Sequence, residues 1–218
     1  MTSLDSKPQI VVVGNGMVGH HFVEQLHQSD ANVEITVLCG ESRLAYDRVY
    51  LSSFFSGASA DDLALTTPAQ YAEWGVNVVT NALVTDIDRD NNKVTTSEGQ
   101  VFSYDKLVLA TGSYPFVPPI PGNDQEHCLV YRTIDDLLAI EASAAVSKVG
   151  VVVGGGLLGL EAANALKQAG LDTHVVEFAP QLMAVQLDQA GGNVLKDKIE
   201  ALGVTVHTQK ATQTIEAG

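Results

Sequence analysis

Two stretches of this chain read as copies of one another, and that repeat limits what it can fold into. VVVGNGMVGHHFVEQL (Val11–Leu26) laid over VVVGGGLLGLEAANAL (Val151–Leu166), an offset of 140, gives seven identities in sixteen positions. Each copy is a short β-branched run, then glycines spaced GxGxxG, then apolar residues at helical period. In the second copy Val149–Val153 predicts a buried parallel strand, followed by Gly154, Gly156 and Gly159. Leu157–Gln168 predicts a helix, Gly170 sits where a helix C-cap glycine belongs, and Thr173–Val176 predicts a second strand ending in Glu177. Glu177 lies 177 − 159 = 18 residues past the last glycine, near the roughly 20 expected for an acid that binds a ribose. In the first copy Gln9–Val13 is a strand, Gly14, Gly16 and Gly19 carry the spacing, His20–Gln28 continues as helix and Glu34–Leu38 is the second strand. Glu41 follows at 41 − 19 = 22 and is the ribose candidate, with a solvated loop acid as the alternative.

Each part has a mechanical reason. The first glycine lets the chain turn out of the strand, the second lets backbone approach a pyrophosphate, and the third lets helix and strand pack closely. The anion then meets free N–H groups at the positive end of the helix dipole. Two such units imply two dinucleotides. The expected architecture is α/β, with two Rossmann-like three-layer dinucleotide-binding domains over residues 1–115 and 116–218 and an antiparallel meander inserted in the first.

The meander is read from short strands at Val76–Val79, Val84–Asp88, Lys93–Thr96 and Val101–Ser103, with turns at Asp90-Asn91-Asn92 and Glu98-Gly99. Before it, Ser42–Gly57 is loop-like and carries Arg48, either a phosphate or flavin contact or a surface partner of Asp47. Thr67–Trp74 is a short helix with Trp74 as a core anchor. After it, Tyr104–Leu109 leads into Ala110-Thr111-Gly112, small residues that would let a cofactor approach the backbone. Ser113–Gly122 holds four of the seven prolines and reads as a stiff crossing between domains. Val130–Ala145 is a strand end and a helix with Thr133 as N-cap. Leu187–Leu202 is a helix whose apolar or small face is Leu187, Ala190, Gly191, Val194, Leu195, Ile199 and Leu202, and Val204–His207 is a strand.

Composition excludes several classes. A formal net charge of −14, from 12 basic and 26 acidic residues, opposes binding to nucleic acid and to anionic membrane surfaces. No apolar run reaches the roughly 20 residues of a membrane span, and the polar start MTSLDSKPQ offers no secretory signal. Cys39 and Cys128, with no CxxC, fit a reducing cytoplasm and no disulfide framework. Adjacent His20 and His21 point different ways on a helix and read as surface residues. His27, His127, His174 and His207 are scattered with no ligand spacing, so no metal site is expected.

The paired nucleotide units, the Ala-Thr-Gly tripeptide and the proline-rich crossing resemble the pyridine nucleotide-disulfide oxidoreductase class of flavoproteins. GNGMVGHHFVEQL, AYDRVYLSS, LATGSYPFVPPIPG, VYRTIDDL and GGGLLGLEAANALKQAGLDTHVVEFAPQLMAVQLDQAGG are similar to the N-terminal reductase region of the bacterial NAD(P)H-dependent nitrite reductase large subunits. The resemblance implies FAD on Gly14, Asn15, Gly16 and Gly19 with its ribose on Glu41. It places Arg48 and Ser52 by the flavin, and Ala110, Thr111 and Gly112 along the same cofactor. NADH, in preference to NADPH, would lie on Gly154, Gly156, Leu158 and Gly159 with its adenine-side ribose on Glu177. Glu161 resembles a carboxylate near the nicotinamide ring; a surface helix acid is the other reading. Hydride would pass from NADH to FAD and electrons onward to an iron–sulfur cluster and siroheme in downstream domains, with a small subunit and a homo-oligomer as further associations. No side-chain catalytic base is implied. Ser53 stands where related ferredoxin reductases have a lysine. The strands that would complete both sheets and the second flavin motif are absent, so the chain reads as a C-terminally truncated fragment. A ferredoxin or rubredoxin reductase and a non-catalytic nucleotide-binding fragment are the alternatives.

Overall fold

A computed structural model describes residues 7–217. The chain separates into two compact units, one holding the described residues up to Arg48 with Ala60–Ser113, the other Val49–Ser59 with the described residues from Tyr114 onward. Residues 49–59, expected with the first domain, thus group with the second unit.

The first unit opens with β1 (Gln9–Val13), α1 (Met17–Gln28) and β2 (Glu34–Leu38). α1 begins at Met17, three residues earlier than expected, because Gly16 serves as its N-cap in extended backbone. Then come α2 (Pro68–Glu73), β3 (Val76–Val79), β4 (Val84–Asp88), β5 (Lys93–Thr96), β6 (Val101–Ser103) and β7 (Lys106–Leu109). The parallel sheet has the order β3-β2-β1-β7, and β4-β5-β6 form the antiparallel meander. Val76–Val79 is therefore an edge strand of the parallel sheet and no part of the meander. Its alternation reads the same in either sheet, so its partner β2, in register Ile35↔Val76, could not be read locally.

Period-two alternation sends β1 to two cores. Ile10 and Val12 face α1 and pack with Val23, Ile35, Val37 and Tyr71. Val11 and Val13 face the meander and pack with Leu38, Ala82 and Val94. Each fully buried valine or leucine contributes about 1.5–3 kcal/mol, and Val12→Ala would open a void costing roughly 2 kcal/mol or more. Trp74 packs on the α1-face core partly buried, beside the fully enclosed Tyr71.

The second unit contains a 3-10 helix (Leu51–Ser56), α3 (Ile134–Val146), β8 (Val149–Val153), α4 (Leu157–Gln168), β9 (Asp172–Val176), α5 (Gln189–Ala201) and β10 (Val204–His207). Its parallel sheet has the order β10-β9-β8. No strand forms at Val130; Thr133 and Asp136 instead make a reciprocal capping box at the start of α3, at 3.1 and 2.8 Å. α5 is capped by Asp188, and of its expected apolar face only Leu195 and Ile199 pack on the sheet core. Val194 and Leu202 are exposed.

The repeat makes the two sheets comparable residue by residue. Val11 and Val13 are 2% and 7% exposed, while Val151 and Val153, 140 positions on, are 56% and 45% exposed. The meander and β7 cover β1 in the first unit, and among the described residues nothing equivalent covers β8 in the second.

Candidate functional site

The two glycine turns have the same geometry. Gly14 (φ +106) and Gly154 (φ +116) take the left-handed backbone that a side chain resists. Each is tied to the neighbouring strand by its N–H, Gly14 to the Leu38 carbonyl and Gly154 to the Val176 carbonyl, both at 2.8 Å. A Cβ on Gly19 would lie 2.1 Å from the Gly14 oxygen, and one on Gly159 would lie 2.0 Å from the Gly154 oxygen. These contacts need the first and third glycines for the fold alone.

The middle glycines differ. A Cβ on Gly156 would meet nothing within 4 Å, and one on Gly16 would meet only the Arg48 Nε at 3.9 Å. Both stand in extended backbone open to any residue, with φ of −85° for Gly16 and −81° for Gly156. The fold has no use for a glycine there, but a ligand lying against bare backbone does. Neither α1 nor α4 has a side-chain cap, so their first-turn N–H groups face that space. A pyrophosphate fits both cradles on these grounds.

Around the first turn the groups converge. Asn15 is buried; its Oδ1 accepts from the Tyr71 hydroxyl at 2.7 Å, and its Nδ2 has no acceptor. A phosphate oxygen at the turn would supply one. The Tyr71 oxygen is 3.0 Å from His20 Nδ1. With the tyrosine proton spent on Asn15, that ring nitrogen donates. His20 is thus a buried residue stacked on Trp74 at 5.9 Å between centroids, and the expected surface role is wrong for it. One helix face carries Gly19, His20 and Val23 inward, and α2 brings Tyr71 to meet it. His21 remains outside, 3.1 Å from Glu24. Burial pushes Tyr71 up to about 12 and holds His20 below its usual value.

Glu41 accepts from the Tyr46 hydroxyl at 2.7 Å and pairs with Arg48. Arg48 lies over the Tyr46 ring, 4.9 Å from its centroid, and against Gly16. Arg48 thus pairs with Glu41 beside the first turn. Ala110 closes the turn from the β7 side: its N–H reaches the Val13 carbonyl at 2.8 Å, and its own oxygen lies 2.2 Å from any Cβ on Gly14. Thr111 and Gly112 follow it, exposed, with Gly112 at φ +67. Ser52 sits on the 3-10 helix of the second unit, which packs on α4 through Ser56 and Gln168.

Around the second turn Glu177 accepts from the N–H of Gly155 and of Ala179, each at 2.6 Å. Gly155 has no room either: a Cβ would lie 2.5 Å from Leu182 Cδ2. Leu158 is 53% exposed and lines a cavity along β8, and Glu161 is half-buried one turn into α4.

His174 and His207 do meet. Parallel pairing of β9 and β10 stacks their rings, with Nδ1 of one 3.0 Å from Nε2 of the other. Among the described residues no group of three or more His, Cys, Asp or Glu side chains could hold a metal. Cys39 is buried with its thiol pushed up by burial, and both cysteines are free. No described helix is long and apolar enough to cross a membrane.

Two cradles on α/β units, each open at its middle glycine, define a dinucleotide-binding oxidoreductase fold. The chain belongs to the pyridine nucleotide-disulphide oxidoreductase family, whose pattern matches residues 8–218. It is 55% identical over 212 residues to the nitrite reductase (NADH) large subunit of Escherichia coli (strain K12), covering 96% of this chain and 25% of that protein. It is equally identical to the nitrite reductase [NAD(P)H] large subunit of Klebsiella oxytoca, over 96% of this chain and 22% of that protein. The NADH:rubredoxin oxidoreductase of Clostridium acetobutylicum superposes with a TM-score of 0.86 at 27% identity, over 95% of this chain and 54% of that one. The chain thus spans about a quarter of the length of the curated relatives it matches.

Proposed function

We propose that this chain is an NADH-oxidising flavin reductase module of a longer nitrite reductase. Residues 1–115 bind FAD and residues 116–218 bind NADH. The observation that carries the reading is the pair of middle glycines, Gly16 and Gly156, which face open space that the fold itself does not require. FAD held on the first turn would supply the redox chemistry, as a two-electron acceptor for NADH hydride and a relay toward an iron–sulfur and siroheme centre in the rest of the protein.

The residues bind and orient; none moves a proton. Gly14, Asn15, Gly16 and Gly19 hold the flavin's pyrophosphate, with Arg48 against Gly16 adding a cation and Glu41 fixing that cation. Ala110, Thr111 and Gly112 give the cofactor bare backbone. Gly154, Gly156, Leu158 and Gly159 hold the nicotinamide nucleotide, with Glu161 near the ring. Each Glu177 oxygen has a lone pair left after its backbone bond, enough for the ribose hydroxyls. Its charge repels a 2′-phosphate, which favours NADH over NADPH. The name of the Escherichia coli relative supports NADH, and 55% identity to it against 27% to the rubredoxin reductase supports nitrite as the final acceptor.

The test is colour and turnover. The purified chain, reconstituted with FAD, should be yellow and reduce ferricyanide with NADH. A colourless protein that binds NADH without turnover would leave only a nucleotide-binding module.

A further inference from the structure

The repeat offers a comparison inside one chain. Asn15 and Gly155 hold the same position in the two glycine turns, 140 residues apart. In the second turn Gly155 is gripped from both sides by the segment after β9. Its N–H goes to the Glu177 carboxylate at 2.6 Å, and its carbonyl accepts the Met183 N–H at 3.0 Å. The first turn has no such acid. Cys39 stands where Glu177 stands: each follows the residue whose carbonyl takes the first glycine's N–H, and each gives its own N–H to the next strand, Cys39 to Val79 and Glu177 to His207, at 2.8 Å. The Asn15 N–H therefore meets a sulfur, a weak acceptor, in place of a carboxylate. Glu41, two residues further on, is engaged by Tyr46 and Arg48.

What the first turn has instead is a side chain to hold. Tyr71, 2% exposed, donates its hydroxyl to Asn15 Oδ1 at 2.7 Å and accepts from His20 Nδ1 at 3.0 Å. Thr67 caps α2 and Pro68 opens it, which fixes the helix that carries this tyrosine. Its ring stands edge-on to His20 and to Trp74, at 5.7 and 5.9 Å between centroids. Ring packing and one incoming bond thus aim a single O–H donor at a single acceptor. Asn15 lies between the first two glycines, so fixing its side chain fixes the backbone there. Tyr71 is too enclosed to touch a ligand, and any effect it has on one passes through Asn15.

We propose that Tyr71 is a positioning residue of the first turn, holding Asn15 and with it the backbone on which a flavin nucleotide's pyrophosphate would lie. It does from α2 what Glu177 does from the end of β9. The inference rests on the reading of the first turn as the flavin-nucleotide site.

A double-mutant cycle in the full chain tests it, with Tyr71→Phe, Asn15→Gly and the pair, each titrated with FAD by flavin fluorescence and with NADH by calorimetry. Asn15→Gly makes the first turn a copy of the second. Tyr71→Phe should weaken FAD binding about five- to tenfold, leave NADH binding unchanged, and have little further effect once Asn15 is glycine. Unchanged FAD affinity in Tyr71→Phe overturns the proposal. So does an equal loss in both backgrounds, the mark of a merely structural tyrosine that does not act through Asn15. Should Tyr71→Phe fail to fold, Asn15→Gly removes the same bond from the other side, and unchanged FAD affinity in that variant overturns the proposal equally. Failure of the wild-type chain to bind FAD would sink the flavin reading itself, and this proposal with it.

Discussion

Glu177 is bonded to the turn it serves: its Oε2 accepts from the Gly155 N–H at 2.6 Å, twenty-two residues away in sequence. Its Oε1 takes the Ala179 N–H at the same distance. One carboxylate therefore fixes the strand-to-helix turn after β8 and the loop after β9. The negative charge also sits where the backbone N–H groups already favour an anion, so ligand and side chain share one positive field. Glu177→Ala should lower the melting temperature, since it frees two part-buried N–H groups, each worth about 1 kcal/mol. It should also weaken NADH binding roughly tenfold while leaving NADPH binding unchanged or improved. Fluorescence titration with both nucleotides reads the ratio. Equal loss for the two would show that the acid acts only on the fold.

The middle and last glycines of the second turn should separate binding from stability. Gly156→Ala meets nothing within 4 Å and stands in ordinary extended backbone, so the protein should fold with an unchanged melting temperature. Its methyl group would fill the space above bare backbone, and NADH affinity should fall at least tenfold. Gly159→Ala places a methyl 2.0 Å from the Gly154 oxygen and should cost about 1–3 kcal/mol of stability before any ligand is added. Thermal melts and calorimetry on the two variants give the comparison. A destabilised Gly156→Ala protein would mean that glycine serves the fold.

Arg48 gives the corresponding test for the first turn. Its guanidinium lies against Gly16 and is held there by Glu41 and the Tyr46 ring. Arg48→Ala should reduce FAD retention about tenfold, seen as lost flavin absorbance after gel filtration. Arg48→Lys should recover only part, because an ammonium cannot keep the planar stack on Tyr46 and the fork on Glu41 together. Full recovery with lysine would reduce the role to bulk charge.

Much of this was legible because the GxGxxG turn is local chemistry. Strand, glycines, helix and acid follow one another within about thirty residues, and each element's signal lies in its own sequence. What escaped was non-local. His20 reads as a surface residue beside His21 until α2 brings Tyr71 and Trp74 against it, 51 residues away for the Tyr71 bond. Val76–Val79 alternates like the meander strands, and only its pairing with β2 assigns it to the parallel sheet. Helix α5 shows the reverse failure. Its periodicity predicts a broad apolar face, yet the three-stranded sheet offers contacts only to Leu195 and Ile199. The Asn15 atom without a partner carried no sequence signal, because satisfaction is a property of the packed state.

The buried His20 links pH to the first turn. Burial holds its imidazole below the ordinary value, with Glu24 opposing and His21 reinforcing that shift. Around it stand Tyr71, which accepts from Nδ1, and Trp74, which covers its ring. The unfolded chain titrates this histidine near 6.5 and so binds its proton more readily than the folded chain. Stability therefore rises with pH across that window. The contribution is complete above about 6.5 and is lost as pH falls below it toward the lower folded value. His20→Phe keeps the stack on Trp74 but cannot titrate. At about pH 8 it should be less stable than wild type, by about 1 kcal/mol for the missing bond to Tyr71. Between about pH 7 and pH 5 the wild type should lose stability faster, so the two melting curves converge as acid is added. Protonation adds its proton at Nε2 and leaves the Nδ1–H bond to Tyr71 in place, so the cost is that of burying the charge. Parallel melting profiles for the two proteins across this range would show that His20 is not the titrating group.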